Sequence, residues 1–483
     1  MNSTMTPASE STASADAGYL RGFQTLDRET TIDRLPVTGT MPAWLGGSLY
    51  RNGPAKFEVG REGYAHWFDG QAMLHRFTIS NGDVAYGNRY LDSAGYREGV
   101  SAGRIRRSEF GTLAKVGLVE RLRRIGRDTS SQNANVNIVP CGDELLALTE
   151  TPVPLAFDAL SLETRGPRPA TGGPELQTIT AHPHHIAASR RSINFGITFG
   201  RKSMYHVVAV DDGTLARRTI GSIAVDRPAY FHTFALTQRY AVIVEFPLVV
   251  NPLDLLIERR PFIDNYHWEP QRGTRFHAMR LDDGRVEHVW EGAPFFAFHH
   301  INAFDEGDAI VLDISAYDDA TIVDDLRLAR LRSPGARALD ASFRRYRLVP
   351  GRTTAEFEQI SEVATELPRV AASRHARPYE FAYGVGSSAD RPNAVATTIV
   401  KVATADRGVR SWSEPGAYPG EPVFVARPGG TAEDDGVVLS VVLDAVRGAS
   451  ALVVPDAADL TELARADVPH HIPFGFHGLF VRA

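Results

Sequence analysis

At 483 residues the chain could make three ordinary domains or one large closed β domain, and a core of adequate size is available either way. Its composition, 43% hydrophobic and 23% charged, is that of a globular protein, and a net charge of -6 without a basic tail argues against a nucleic-acid binder. The single cysteine, Cys141, excludes an intrachain disulfide and a cysteine-built metal site, so any metal must rest on histidine or carboxylate, and it suits a reducing cytoplasm.

Residues 1–18 open the chain with a Ser, Thr and Ala-rich stretch that has neither a basic start nor an apolar centre, and they are expected to be a disordered arm rather than a signal peptide. No later apolar run is long enough to span a bilayer. From Gly46 onward, short apolar segments alternate with hairpin punctuation at Asn81-Gly82-Asp83, Asp211-Asp212-Gly213, Asp282-Asp283-Gly284 and Glu306-Gly307-Asp308. Such residues supply the positive φ that tight hairpins need. Segments such as 205–210, 240–244, 309–314, 436–443 and 451–454 are of strand length and rich in Val, Ile and Leu, so the chain reads as antiparallel all-β. The pattern recurs to the C-terminus with no Ser/Pro linker, which favours one propeller over 19–483 rather than two sandwiches, although no repeat is sharp enough to count blades.

Two segments break the β pattern. Residues 111–127 set Leu113, Val116, Leu118, Val119, Leu122 and Ile125 at near-helical spacing against Lys115, Arg121, Arg123, Arg124 and Arg127, a basic amphipathic segment. Residues 246–257 are too apolar for an ordinary loop and carry two prolines. Each either packs within the protein as a cap or makes peripheral contact with a membrane surface.

The sixteen histidines are scattered, yet four share a setting beside aromatics or prolines at a strand start: Ala181-His182-Pro183, Phe231-His232-Thr233, Phe298-His299-His300 and Phe476-His477-Gly478. Imidazole is the commonest neutral metal ligand, and strands this far apart converge only where a sheet closes on its own axis. Spacing alone does not choose among them, because His184, His300, His470 and His471 stand close by, and a packed imidazole is a reasonable reading of any single one.

The run Gly-Ser-Leu-Tyr-Arg-Asn-Gly-Pro at 47–54, His-Trp-Phe-Asp-Gly at 66–70, the four histidine settings in order and the closing Pro-Phe-Gly-Phe-His-Gly at 473–478 resemble the carotenoid cleavage oxygenase family over residues 19–483. The resemblance implies a seven-bladed β-propeller with a dome of loops and helices over one face and an axial Fe(II) held by His182, His232, His299 and His477. It also implies three outer glutamates, Glu150, Glu366 and Glu421, accepting the far N–H of three ligands, with Val136 and Phe298 beside the open metal position. Outer carboxylates of this kind fix the tautomer and orient the ring.

The runs at 108–112, 135–138, 147–151 and 182–184 are similar to the animal carotene-cleaving and retinoid-isomerising branch. Gln71-Ala72 and His185-Ile186 depart from the family's usual acidic residues. The expected activity is addition of O2 across one double bond of a carotenoid or apocarotenoid to give two carbonyl products, with no catalytic side chain beyond the metal site. Expected too is a cytoplasmic protein, peripheral at most on the inner membrane surface. Alternatives are a retinoid-ester isomerohydrolase, a stilbene-cleaving enzyme on the same iron, and a non-catalytic apocarotenoid-binding protein.

Overall fold

A computed structural model describes residues 18–115, 117, 130–186, 189–255, 259–333, 340–387 and 395–483. Residues 1–17 of the expected N-terminal arm and residues 116 and 118–127 of the basic segment lie outside the described residues. Seven antiparallel sheets of four or more strands succeed one another among the described residues. Their innermost strands meet around an axis, where Gly478–Arg482, Asn137–Cys141, Ala235–Leu236, His300–Glu306, Glu366–Val370 and Val423–Ala426 touch their neighbours in the ring and His184–Ile186 fills the remaining blade. The fold is the seven-bladed propeller expected.

Local sequence explains the blades. Asn81 and Gly82 take positive φ in the turn between Gln71–Ser80 and Asp83–Tyr90, and Gly213, Gly284 and Gly307 do so at the other three hairpins read from the sequence. Middle strands such as Tyr240–Glu245 and Ala309–Ala316 are buried throughout, and they read as continuous apolar runs because blades cover both faces. Outer strands such as Val409–Trp412 are largely exposed and carry charge, which protects the edge from further pairing.

Both chain ends close the ring. The first blade takes four strands from residues 30–90, and its innermost strand is Gly478–Arg482, paired with Gly47–Lys56. The last blade takes its outermost strand, Val37–Gly39, from the N-terminal part, paired with Glu462–Asp467. Closure needs close backbone approach: a Cβ on Gly53 would stand 2.4 Å from the Cα of Gly475, and one on Gly478 would stand 2.1 Å from the carbonyl oxygen of Tyr50. The two glycine-bearing motifs at 47–54 and 473–478 are therefore the two halves of one seam.

Over the axial face, loops and short helices form the dome. Helix Ala94–Ala102 is capped by Ser93, whose Oγ accepts from the Tyr96 N–H, and it ends at Gly103 in the left-handed region. The apolar segment at 246–257 is divided by the structure. Phe246 and Leu248–Val250 are buried, the strand pairing with Tyr266–Trp268, while Leu253 on the short helix Pro252–Leu255 is 58% exposed. Residues 256 and 257 lie outside the described residues. No helix among the described residues is long and apolar enough to cross a membrane.

Gly53→Ala is expected to cost about 1–3 kcal/mol, as overpacking does, because backbone rather than a yielding side chain opposes the new methyl. Urea unfolding measures this, and an unchanged midpoint would contradict the seam.

Candidate metal centre

The blades end toward the dome in a ring of residues that precede or open their innermost strands. Val136 stands before Asn137–Cys141, His182 before His184–Ile186, His232 before Ala235–Leu236, His299 before His300–Glu306, and His477 before Gly478–Arg482. The two remaining blades bring Glu366, first residue of its strand, and Glu421, two residues before Val423–Ala426. Blade after blade, the same structural position carries the site.

Four of these side chains converge. One ring nitrogen each of His182, His232, His299 and His477 lies within 4.8 Å of the others, the one group of three or more histidine, cysteine or carboxylate side chains close enough to hold a metal among the described residues. The Nε2 atoms of His182 and His232 are 3.0 Å apart, and those of His299 and His477 are 3.1 Å apart. Burial holds His182 well below the usual imidazole range, with the neighbouring His477 and His232 adding to it, and burial lowers His477 to about 3 despite Glu421.

Outside the four stand the carboxylates. His232 Nδ1 is 2.6 Å from Glu150, His299 Nδ1 is 2.6 Å from Glu366, and His477 Nδ1 is 2.7 Å from Glu421. A carboxylate only accepts, so each Nδ1 carries the proton and each Nε2 turns a lone pair inward. His299 and His477 then aim two lone pairs at each other across 3.1 Å, an arrangement that a cation between them relieves. The donor set is all neutral nitrogen, which fits a borderline divalent transition metal such as iron and not a hard cation such as calcium or magnesium. His182 has no carboxylate in this role among the described residues.

The three glutamates differ. Glu150 accepts from the Tyr230 hydroxyl and keeps some exposure to the cavity, and Glu366 is buried and accepts from Tyr317. Glu421 is buried between Arg51 and Arg369 and also accepts from the Gly478 N–H. Burial alone would raise its pKa, but the two guanidiniums and His477 hold it well below the usual carboxylate range. Arg51 also donates to the Phe476 carbonyl and Arg369 to the Gly478 carbonyl, so both fasten the backbone on either side of His477. Arg51, Arg369, Tyr230 and Tyr317 carry no sequence signal of this role, although Arg51 lies in the Gly-Ser-Leu-Tyr-Arg-Asn-Gly-Pro run.

The nearby histidines are turned elsewhere. His184 pairs with His375 and the Phe234 carbonyl, His300 with Thr233, and His470 with the His471 carbonyl. Val136 accepts the His477 N–H on its carbonyl, and with Phe298 it lines a cavity of about 520 Å³ that also reaches His232, His299 and His477. Trp67, Phe68, Phe110 and Phe476 supply much of its apolar wall. Phe68 meets Phe298 and Phe476 edge-on at 5.7 and 5.2 Å. An elongated apolar molecule fits such a wall.

The sequence matches the family model of the retinal pigment epithelial membrane protein over residues 23–482. Among similar proteins, a mitochondrial carotenoid-cleaving dioxygenase of Mustela putorius furo is 32% identical, with 94% of this chain and 95% of the relative covered. A carotenoid isomerooxygenase of Galleria mellonella is 33% identical, with 92% and 93% covered. A variant of the Synechocystis apocarotenoid oxygenase superposes with a TM-score of 0.86 at 29% identity, over 97% of this chain and 99% of that one, and a cobalt-substituted form of it has also been solved.

Replacing His182, His232, His299 or His477 by Ala is expected to abolish metal retention, whereas the same change at His184, His300 or His470 leaves it intact. Glu150→Gln is expected to weaken metal affinity about 10- to 100-fold with little loss of stability. Glu421→Gln is expected to cost an additional ~3 kcal/mol of folding stability, because it leaves the buried Arg51 guanidinium without its counter-charge. Elemental analysis beside urea unfolding of the nine variants checks this, and equal stability of the two glutamine variants would contradict the distinction.

Proposed function

The chain belongs to the retinal pigment epithelial membrane protein family, that of the carotenoid oxygenases, and on that premise we propose that it is an iron-dependent dioxygenase that cleaves one conjugated double bond of a carotenoid or apocarotenoid. The observation that carries this reading is the set of inward-facing imidazole lone pairs opening onto an aromatic cavity. We assign the four ligand roles to His182, His232, His299 and His477, and the orienting roles to Glu150, Glu366 and Glu421. Ferrous iron, when bound, supplies the one-electron chemistry by which triplet dioxygen reacts with a closed-shell alkene.

The chain's own residues do the rest. The carbon–carbon double bond is broken and each carbon gains one atom of O2 as a carbonyl, so no proton need be moved and no general acid or base is required. Phe68, Phe298 and Phe476 hold a flat polyene against the metal side of the cavity and exclude water. Val136, apolar and beside the ligand ring, leaves room for a small diatomic without offering a hydrogen bond. Glu150, Glu366 and Glu421 keep the imidazoles neutral at Nε2 while opposing the metal's charge from one layer out.

We assign substrate delivery to peripheral contact with a lipid surface, in the cytoplasm, through exposed Leu253. Leu255 on the same short helix lines the cavity, so a molecule leaving a bilayer at Leu253 is already at the cavity wall.

Iron-loaded protein incubated with a carotenoid or apocarotenoid is expected to consume O2 and to give two carbonyl products. In 18O2 each product carries label before exchange with water, and without O2 there is none. Isomerised or hydrolysed product formed without O2 would contradict this reading in favour of Lewis-acid chemistry at the same site.

A further inference from the structure

The cavity wall is not apolar throughout. Residues 131–135 form a polar side with Ser131, Asn133 and Asn135, and Glu109 joins them. Most of this polarity is already used. The Asn133 Nδ2 donates to the Asp69 and Gly70 carbonyls and its Oδ1 accepts the Ala72 N–H, while Asn135 Nδ2 donates to the Phe68 and Gly70 carbonyls. Buried Asp69 is likewise committed, accepting from the His66 and Gly111 N–H groups and the Thr112 hydroxyl.

Glu109 stands apart. Its Oε2 accepts from Ser131 Oγ at 2.8 Å and its Oε1 from Gln71 Nε2 at 3.2 Å. Among the described residues none makes a salt bridge to it. Glu109 is half-buried and is part of the cavity lining. Burial, reinforced by Asp69, raises its pKa well above the usual carboxylate range, which favours the neutral acid. Both neighbours donate to it, so the hydrogen of a neutral acid is committed to neither of them. A carboxylic acid with an uncommitted hydrogen, in a cavity that also carries an aromatic wall, suits one kind of group, an oxygen at the end of an apolar chain.

We propose that Glu109, held by Ser131 and Gln71, binds the hydroxyl or carbonyl oxygen at one end of the polyene and so selects oxygenated polyenes, such as apocarotenals and apocarotenols, over hydrocarbon carotenes. The inference rests on the polyene reading of the cavity given above. Ser131 is five residues from Val136, whose carbonyl accepts the His477 N–H, so the Cα atoms of Ser131 and Val136 are no more than about 17 Å apart and Glu109 and the metal ring share one cavity. The departure at Gln71 belongs to the same device: where an acidic residue would repel Glu109, an amide donates to it. Gln71 Nε2 is anchored in turn on the Tyr64 hydroxyl at 2.7 Å.

Binding without turnover tests this. Iron-loaded protein under argon is titrated with all-trans-retinal, all-trans-retinol and axerophtene, the hydrocarbon of the same skeleton, and quenching of fluorescence from Trp67 and its fellow tryptophans is followed. Wild type is expected to bind the two oxygenated probes about tenfold more tightly than the hydrocarbon, the size of one net hydrogen bond. Glu109→Leu is expected to erase that preference by weakening only the oxygenated pair, whereas Glu109→Gln, which still donates and accepts, retains it. Equal affinity of wild type for all three probes, or equal weakening of all three in Glu109→Leu, would overturn the inference while leaving the polyene reading standing. Failure of wild type to bind any of the three would overturn both.

Discussion

The structure depends on lone pairs that face one another. Three glutamates each take the outer proton of an imidazole, which forces the inner nitrogens of His232, His299 and His477 to converge as acceptors. Between His299 and His477, whose Nε2 atoms are both acceptors 3.1 Å apart, neither ring can donate to the other, and a transition-metal cation satisfies both. The charge is placed with care: among the described residues no arginine pairs with Glu150 or Glu366, whereas Glu421 lies between Arg51 and Arg369. A divalent ion at the centre therefore meets a surround of modest net negative charge, enough to favour it and too little to strand buried charge when neutral molecules enter the cavity.

This arrangement explains why a propeller suits the chemistry. Each blade presents one residue at the start of its innermost strand, so seven positions from distant parts of the chain meet on one axis without any of them needing a loop of its own. Four positions hold imidazole, two hold glutamate and one holds Val136. The ring stays rigid because the seam between residues 47–54 and 473–478 is locked by backbone contact and by Arg51 and Asn52, whose amide N–H and carbonyl flank His477. The chain's last motif holds His477 at the axis because the first one clamps it.

Much of this was legible in the sequence, for different physical reasons. Hairpin glycines and apolar runs give the strands, because local geometry demands those residues; the blade count needed the family resemblance, because blades share a shape and no repeated sequence. The four histidines stand out in motif but not in spacing, since the distances between them are set by blade length. Arg51 and Arg369 were invisible as site residues because their partner, Glu421, is remote in sequence, and an arginine in a strand looks like any other until its neighbour is known. Glu109 was legible only as part of a run typical of one branch, since nothing local reveals that its carboxyl faces a cavity. Residues 246–257 remained double in meaning because a buried strand and an exposed apolar helix have the same composition, and the structure contains a piece of each.

The central claim is that the metal is held by four neutral imidazoles with every carboxylate one layer out. X-ray absorption at the iron K-edge of the loaded protein tests it most directly. The account predicts a spectrum fitted by four imidazole rings, with their outer-ring scattering, and no carboxylate ligand from the protein. Fewer than four imidazoles, or a carboxylate bound directly to iron, would contradict it.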